Sequence, residues 1–309
     1  MTTIPSAVLP RSQAPNHQAQ ALLIPRPDGK PAPTPWIVVG GGKGGVGKTL
    51  VAVNLALQTV RAGCRTLLVD LDPGLGNVDV QMRLAPKHTI DDVVDGKCSP
   101  AEAIVTGPGG VAVLAGRSGA TQLASGDLER IHRTLDAVAR AARGYDLVVC
   151  DTGAGIGPAV VETLRRAKLV VAVTTPDPTA VTDCYALCKI LAARGISEPT
   201  LVVNRVRSRD EALRTAARLT SVCEKFLSTK PSLLGWLRSD PLVELSVLDQ
   251  RPFALAGIGP AIEDLRAVTA AALSALPGLR RSLPTRGTSE ASIGSSSQPT
   301  GSGRPNQKP

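Results

Sequence analysis

A glycine-rich loop with two lysines, running from Gly40 to Thr49, holds the residue types best suited to chemistry. It follows the apolar run 36–39 and leads into residues 50–57, which have the composition of a helix. Glycines let a backbone take positive φ angles and approach an anion closely, and the N–H groups at a helix N-terminus face negative charge. A strand, a glycine loop and a helix N-terminus together predict a phosphate cradle.

Residues 42–49 of this loop fit the pattern G-x-x-x-x-G-K-[ST] of a P-loop. In that pattern the lysine, here Lys48, reaches the β- and γ-phosphates of a nucleotide, and the hydroxyl, here Thr49, holds Mg²⁺. A flexible glycine turn with a chance lysine is the alternative, and the strand–loop–helix context argues against it. The residues predicted to bind the nucleotide here are Gly42, Lys43, Gly44, Gly45, Val46, Gly47, Lys48, Thr49 and Leu50.

The loop also carries an earlier lysine, Lys43, just before two glycines. The segment Lys-Gly-Gly-x-Gly-Lys-Thr, residues 43–49, resembles the deviant Walker A loop of the MinD/ParA ATPases. The resemblance implies ATP and Mg²⁺ as ligands and a homodimer that closes over two ATP molecules. It also implies that Lys43 crosses the dimer interface and touches the partner's nucleotide, where a cation can stabilise phosphoryl charge. Lys43 and Lys48 are accordingly predicted catalytic residues.

Acidic residues end two of the predicted strands. Asp70 and Asp72 follow an apolar strand, and two carboxylates at this spacing point to the same side. Asp151 ends the apolar run 147–150, as in a Walker B segment, and Gly153 follows it. Acidic strand-end turns are the structural alternative at both places. The family resemblance implies water activation by Asp72, Mg²⁺ or its water shell for Asp70 and Asp151, and γ-phosphate sensing by the Gly153 N–H.

Two later strand ends are candidates for contact with the base. Asn204 follows the run 201–203, and an asparagine amide can pair bidentately with an adenine edge. A turn-forming asparagine is the structural alternative, and the family resemblance favours the adenine role. The loop that contains Asp240 and Pro241 is predicted to close over the base.

These residues need a scaffold, and the hydrophobic pattern provides one. Short, continuous apolar runs alternate with amphipathic stretches, which indicates a mostly parallel sheet with helices on both faces, a doubly wound α/β fold of the P-loop type. Ligands in such sheets bind beyond the carboxyl ends of the strands, where all the candidate residues lie. We expect residues 36–277 to form the ATPase domain. Residues 1–35 and 278–309, rich in Pro, Gln, Ala, Ser and Gly, are predicted disordered tails.

Composition narrows the class of protein. Aromatic residues make up only 2% of the chain, which argues against base-stacking surfaces for single-stranded nucleic acid. The net charge is +9, but much of this excess lies in the two tails. Cys184 and Cys188 share a helix face, and we expect buried free thiols there rather than metal ligands. With no secretory signal and no long apolar run, we expect a cytoplasmic protein, with the inner face of the cell membrane as a second candidate location.

Three stretches resemble the flagellar branch of the family, FlhG (also called FleN or YlxH). They are residues 74–80, the switch-like Asp-Thr-Gly-Ala-Gly-Ile at 151–156, and Thr-Thr-Pro-Asp-Pro-Thr-Ala at 174–180. The resemblance implies a regulator of flagellar number or placement with slow, partner-stimulated ATP hydrolysis. Members bind FlhF, a GTPase of the signal-recognition type, through an N-terminal motif that residues 17–23 match only in part. The C-terminal amphipathic helix that carries members to the membrane has no clear counterpart here.

Two other functions stay open. A ParA-like protein would bind DNA non-specifically as an ATP dimer; Asp72-Pro73 resembles that branch, and the candidate basic stripe is Arg205, Arg207, Arg209, Arg214 and Arg218. A solvated helix face is the simpler account of these arginines, and we favour it. A non-enzymatic module with a decayed site is the third reading, and the intact lysines and aspartates argue against it.

Overall fold

The computed structural model describes residues 33–72, 74, 76–117, 126–276 and 279. The elements in chain order are β1 (Trp36–Gly40), α1 (Lys48–Arg61), β2 (Thr66–Leu71), α2 (Val78–Gln81), α3 (Ile90–Val94), α4 (Pro100–Ala103), β3 (Ile104–Thr106), β4 (Ala112–Leu114), α5 (Leu128–Ala141), β5 (Leu147–Thr152), α6 (Pro158–Arg165), β6 (Leu169–Thr174), α7 (Pro178–Ala193), β7 (Thr200–Val206), α8 (Arg209–Leu227), β8 (Ser232–Arg238), α9 (Pro241–Leu248) and α10 (Pro260–Ser274). Short 3-10 turns lie at Pro108–Gly110 and Phe253–Leu255.

The strands form one eight-stranded sheet in the order β3-β4-β2-β5-β1-β6-β7-β8. Every pairing is parallel except that of β3 with β4. The doubly wound α/β fold predicted from the sequence is therefore confirmed. The parallel strands end at one edge of the sheet, called the carboxyl edge below, and begin at the opposite, amino edge.

Each face of the sheet is covered by helices, which explains the continuous apolar strands. Neighbouring residues of β1 point into different layers: Val38 belongs to the buried cluster that includes α5 to α8, whereas Ile37 belongs to the one that includes α1 and α10. Strands β1, β2, β5 and β6 are buried along their whole length. The central strands can thus hold the loops at their carboxyl ends in fixed positions.

Three short helices and one strand were not predicted: α2, α3, α4 and β3. Each has only three to five residues, too few to show a period. Two of the helices nevertheless carry a readable start signal. Thr89 with Asp92 and Ser99 with Glu102 form capping boxes, a Ser or Thr followed three residues later by an acid.

Within the described ranges, no helix is long and apolar enough to cross a bilayer. The six cysteines are free, and all except Cys98 are buried. Cys184 and Cys188 belong to this buried set, as predicted. No group of three or more His, Cys, Asp or Glu side chains in the described part of the chain is arranged to hold a metal ion.

Candidate nucleotide site

The loop between β1 and α1 has an open side. Gly45 and Gly47 have φ angles of 78° and 96°, the left-handed region that glycine enters at little cost. A side chain at Gly44 or Gly45 would meet no atom within 4 Å among the described residues. The loop therefore presents bare backbone toward a space at the N-terminus of α1, as a phosphate-binding loop requires.

The other side of the loop is tightly packed. A Cβ on Gly41 would lie 2.9 Å from the Val173 carbonyl oxygen, and one on Gly42 would overlap the backbone of Asp183 in α7. Only glycine fits at these two positions, because the obstacles are backbone atoms. The inner face of the loop is thus fixed against β6 and α7 while its outer face stays open.

Lys48, the first residue of α1, is almost fully buried, with 7% of its surface exposed. Its Nζ donates a hydrogen bond to the Lys43 carbonyl at 3.3 Å. Burial lowers the pKa of Lys48, while the nearby carboxylates of Asp151 and Asp72 act in the opposite direction. The predicted phosphate lysine is therefore held inside the loop beside two predicted acidic residues.

Asp151, at the end of β5, is fully buried, and neither of its carboxylate oxygens has a hydrogen-bond partner among the described residues. Burial raises its pKa well above the ordinary value; the charge of Asp70 adds to this, and Thr49 and Lys48 oppose it. A buried carboxylate without partners is costly unless a cation joins it. This orphaned carboxylate beside Thr49 fits Mg²⁺, which takes one or two carboxylates together with phosphate oxygens.

Asp70 lies next to Asp151 in the register of β2 and β5. Its oxygens accept hydrogen bonds from the backbone N–H groups of Asp72, at 3.0 Å, and Val78, at 3.1 Å. Burial is the main cause that raises its pKa to about 6. Asp70 therefore already positions the segment that carries Asp72, and a role toward Mg²⁺ remains a prediction. Asp72 accepts a hydrogen bond from the Gly74 N–H at 2.9 Å.

Lys43 has partners that the sequence did not predict. Its Nζ contacts the Thr179 hydroxyl and lies 3.9 Å from an Asp177 carboxylate oxygen. Asp177 caps α7 by accepting hydrogen bonds from the Thr179 and Ala180 N–H groups at 2.7 and 3.1 Å. A hydrogen bond from the Thr179 hydroxyl is the main cause that holds the pKa of Asp177 below its usual range, and the two backbone bonds add to it. In this single chain Lys43 thus rests on the N-terminus of α7. The sequence did contain a signal for the start of α7, because an aspartate followed by a proline is a common beginning of a helix.

Asn204 turns toward the loop. Its Nδ2 donates to the Val46 carbonyl at 2.9 Å, and its Oδ1 accepts from the Arg205 N–H at 2.9 Å. The amide therefore anchors the loop in this structure, and its role toward adenine remains a prediction. A cavity of about 390 Å³ opens nearby, lined by Thr175, Pro176, Asp177, Arg205, Arg207, Glu211 and Ser239.

The remaining predicted residues lie at the same edge. Gly153 is buried directly after β5, and the Gly155 N–H donates to the Gly41 carbonyl at 3.1 Å, which joins this segment to the loop. Asp240 caps α9 through the Leu242 N–H at 2.9 Å and also accepts from the Ala261 N–H at 3.1 Å. Its carboxylate therefore fixes the connection from β8 to α10. Contact of Asp240 and Pro241 with a base remains a prediction.

A buried asparagine ties α1 to the segment after α9. Asn54 accepts a hydrogen bond from the Ala254 N–H at 2.8 Å and donates to the Leu50 carbonyl at 2.8 Å. It is fully buried, so its loss would leave the Ala254 N–H without a partner. This side chain thus connects the helix that follows the phosphate loop to the segment after α9.

We expect Asn54→Ala to lower the free energy of unfolding by about 1–3 kcal/mol, the cost of an unpaired buried donor. Urea denaturation would measure this as a lower midpoint at an unchanged slope. The control Ser221→Ala removes a polar side chain from the exposed face of α8 and should stay within about 0.5 kcal/mol of the parent. Equal midpoints for Asn54→Ala and the parent would refute the anchoring role.

Comparisons with known proteins agree with this geometry. The family model for the CobQ/CobB/MinD/ParA nucleotide binding domain matches residues 37–253. The chain is 38% identical over 220 residues to the antiactivator FleN of Pseudomonas aeruginosa, covering 71% of this chain and 79% of that protein. It is 33% identical over 221 residues to the flagellum site-determining protein YlxH of Helicobacter pylori, covering 71% and 74%.

Solved structures share the fold. The cell division ATPase MinD of Pyrococcus furiosus gives a TM-score of 0.64 at 20% identity, covering 78% of this chain and 98% of that one. MinD of Pyrococcus horikoshii, solved in complex with Mg-ADP, gives 0.63 at 20% identity, covering 80% and 98%. The resemblance predicted from the phosphate loop is confirmed, and the chain belongs to the CobQ/CobB/MinD/ParA nucleotide-binding family.

Proposed function

We propose that this chain is an ATPase that switches between monomer and ATP-bound dimer and regulates the number or placement of flagella. The observation that carries the ATP-binding part is the Asp151 carboxylate, fully buried and without a hydrogen-bond partner among the described residues, beside Thr49 and Lys48. Such a group is unstable on its own and is stabilised by a bound cation. The open glycine side of the loop provides the adjoining phosphate site.

Each residue of this site has a role that follows from its position. Lys48 and the N-terminus of α1 face the phosphates, and Thr49 and Asp151 hold Mg²⁺, with Asp70 supporting from the neighbouring strand. The Mg-nucleotide supplies the phosphoryl group and the positive charge that its transfer to water needs. Asp72 orients and activates that water. Because Asp72 is held by the chain segment that Asp70 positions, its placement follows the state of that segment.

Dimer formation would employ Lys43. In the single chain this lysine rests on Thr179 and Asp177, with 41% of its side chain exposed. Such exposed pairs contribute little free energy, so little is lost when the lysine turns away. Its release toward a partner's nucleotide would add a cation to each site and make hydrolysis depend on the dimer. Slow hydrolysis by the free protein, stimulated by a partner, is part of this proposal.

The flagellar role is supported by similarity. FleN is named an antiactivator and YlxH a flagellum site-determining protein, and this chain aligns with about three quarters or more of each. The stretches at 151–156 and 174–180 carry the same resemblance within the site. The proposed protein partner is a signal-recognition-type GTPase bound through residues 17–23, a segment that lies outside the described residues.

The test is light scattering of the full chain with and without Mg-ATP. We expect the parent to change from monomer to dimer with ATP but not with ADP. Lys48→Ala should weaken ATP affinity about 10- to 100-fold, because it removes a charge-assisted contact to phosphate, and should remain a monomer. Lys189→Ala, on the body of α7, is the matched lysine control and should dimerise as the parent does. A parent that stays monomeric with bound ATP would end the proposal.

A ParA-like DNA-binding role is the second candidate, and one observation favours it. Arg205, Arg209, Arg214 and Arg218 are exposed at β7 and α8, with no ion-pair partner among the described residues. Arg207 differs, since its guanidinium forms an ion pair with the Glu211 carboxylate at 2.7 Å. If this role is real, retention of duplex DNA should require ATP and fall steeply with salt.

A further inference from the structure

Exposed apolar side chains fall into two groups. Ten large apolar residues are exposed in the described part of the chain, and seven of them lie outside α8. The other three are on α8: Leu213, Val222 and Phe226. The last two lie near the end of α8, toward the amino edge, and need a separate explanation.

Phe226 is the unusual member of this group. The chain has two phenylalanines; Phe253 is buried in the core, whereas Phe226 is 64% exposed. Val222 precedes it by four residues and therefore shares its side of the helix. The Lys225 Nζ lies 5.1 Å from the centroid of the Phe226 ring. An aromatic ring is thus presented to the outside with a cation beside it.

The positive excess of the domain is concentrated around the same helix. Residues 36–277 hold 27 basic and 24 acidic residues, and the short segment 205–230 holds seven of the basic and only three of the acidic ones. Without that segment the domain would be close to neutral. Arg214, Arg218 and Lys225 follow one another at helical spacing along one side of α8, next to Val222 and Phe226. This side therefore carries three basic residues next to two apolar ones, with Glu211, which pairs with Arg207 and also feels the charge of Arg214, at its N-terminal end.

The chain's own tails do not complement this surface. Residues 1–32 precede β1, which begins at the amino edge, and residues 280–309 follow α10, which ends at the same edge. Residues 1–35 carry three basic residues and one acidic residue, and residues 278–309 carry five and one. Basic segments would be repelled by a basic face. They would instead add to its attraction for an anionic surface that approaches the amino edge.

We propose that this side of α8, made of Arg214, Arg218, Val222, Lys225 and Phe226, docks on the anionic face of a phospholipid bilayer. Arginine and lysine side chains are attracted to acidic headgroups, and aromatic and aliphatic side chains enter the interface below them. Duplex DNA would use the charges, but a phosphate backbone gives Val222 and Phe226 no apolar partner. The exposed apolar pair therefore favours lipid over nucleic acid.

The experiment uses the full chain with vesicles that contain phosphatidylglycerol and with vesicles of phosphatidylcholine alone. We expect co-sedimentation with the anionic vesicles only. Arg214→Glu with Arg218→Glu should weaken it at least about tenfold, given the attraction of each basic residue to an anionic leaflet. Val222→Ser with Phe226→Ser should weaken it about tenfold at unchanged charge. The charge control is Arg140→Glu with Arg143→Glu, exposed arginines at the end of α5, which should retain most binding.

Nucleotide affinity is measured on every variant, and an affinity equal to that of the parent shows that the fold and the nucleotide site are intact. A failure of vesicle binding can then be told apart from a failure of the proposed ATP switch. Phe226→Trp should show a fluorescence decrease with brominated phosphatidylglycerol if the ring enters the bilayer. Equal losses for the α5 control and the α8 charge variant would overturn the proposal, as would full binding by the serine variant. Retention of duplex DNA but not vesicles, lost on arginine reversal, would replace lipid with nucleic acid.

Discussion

Asp72→Ala should lower the rate of ATP hydrolysis by about 10²- to 10⁴-fold, the usual contribution of a positioned general base, and should leave the protein as an ATP-bound dimer. Asp72 directly follows β2, and its charge acts on Lys48 inside the loop. A carboxylate at that place would lie near the phosphate end of the proposed nucleotide without being part of the glycine cradle. We therefore expect the substitution to spare ATP binding while it stops the step that opens the dimer.

Phosphate release at saturating ATP, together with light scattering, would separate these two effects. The matched control is Asp79→Ala, which removes a carboxylate from α2, the short helix that follows in the same connection. Asp79 accepts from its neighbour's N–H at 2.7 Å, and we expect its loss to leave hydrolysis nearly unchanged. An Asp72→Ala protein that hydrolyses ATP at the parent rate, or stays monomeric with ATP bound, would contradict the assignment.

The sequence was sufficient for the scaffold and the phosphate loop, and the reason is local. A P-loop is one contiguous segment whose strand, glycines and helix start are neighbours in the chain. Parallel strands covered on both faces are continuous apolar runs, so β1, β5 and β6 were visible without any knowledge of their partners. The edge to which Asp70, Asp72 and Asp151 point follows from the parallel topology alone.

The contacts that hold the loop could not be predicted, because they join residues far apart in sequence. Asn204 bonds to the Val46 carbonyl across 158 positions, and Lys43 contacts Thr179 across 136. These pairs meet only because β1 lies next to β6 and β6 next to β7, an order that the pattern of one sequence does not specify. Composition likewise showed a basic chain but not that the positive excess of the domain lies in the segment 205–230, which contains α8.

The structure also shows how the loop is kept ready for phosphate. Its backbone must face outward, and a polypeptide segment rich in glycine loses more conformational freedom on ordering than any other. Asn204 from β7 and the link from Gly155 to Gly41 bond to its backbone, and the α7 backbone at Asp183 packs against it. Among the described residues no such contact reaches Gly44 or Gly45 on the outer side, so the loop is ordered through its inner contacts. Damage to the inner contacts should therefore abolish binding without touching any ligand group.

Gly42→Ala is the substitution that tests this most directly. The new Cβ would overlap the Asp183 carbonyl, a backbone atom of a sixteen-residue helix that cannot turn aside as a side chain does. We expect the loop to be displaced, with ATP affinity reduced more than about 100-fold and the free energy of unfolding reduced by about 1–3 kcal/mol, the cost of overpacking. Calorimetric titration with Mg-ATP and urea denaturation would measure the two effects.

Gly44→Ala provides the comparison within the same loop. Its Cβ would meet nothing within 4 Å among the described residues, and its backbone does not lie in the left-handed region. We expect a free energy of unfolding within about 0.5 kcal/mol of the parent, or slightly higher because alanine restricts the unfolded chain. The difference in stability between two alanines two residues apart would then isolate the α7 contact. Equal stability of both variants would mean that the loop is not held from its inner side, and the loss of ATP affinity in Gly42→Ala would need another cause.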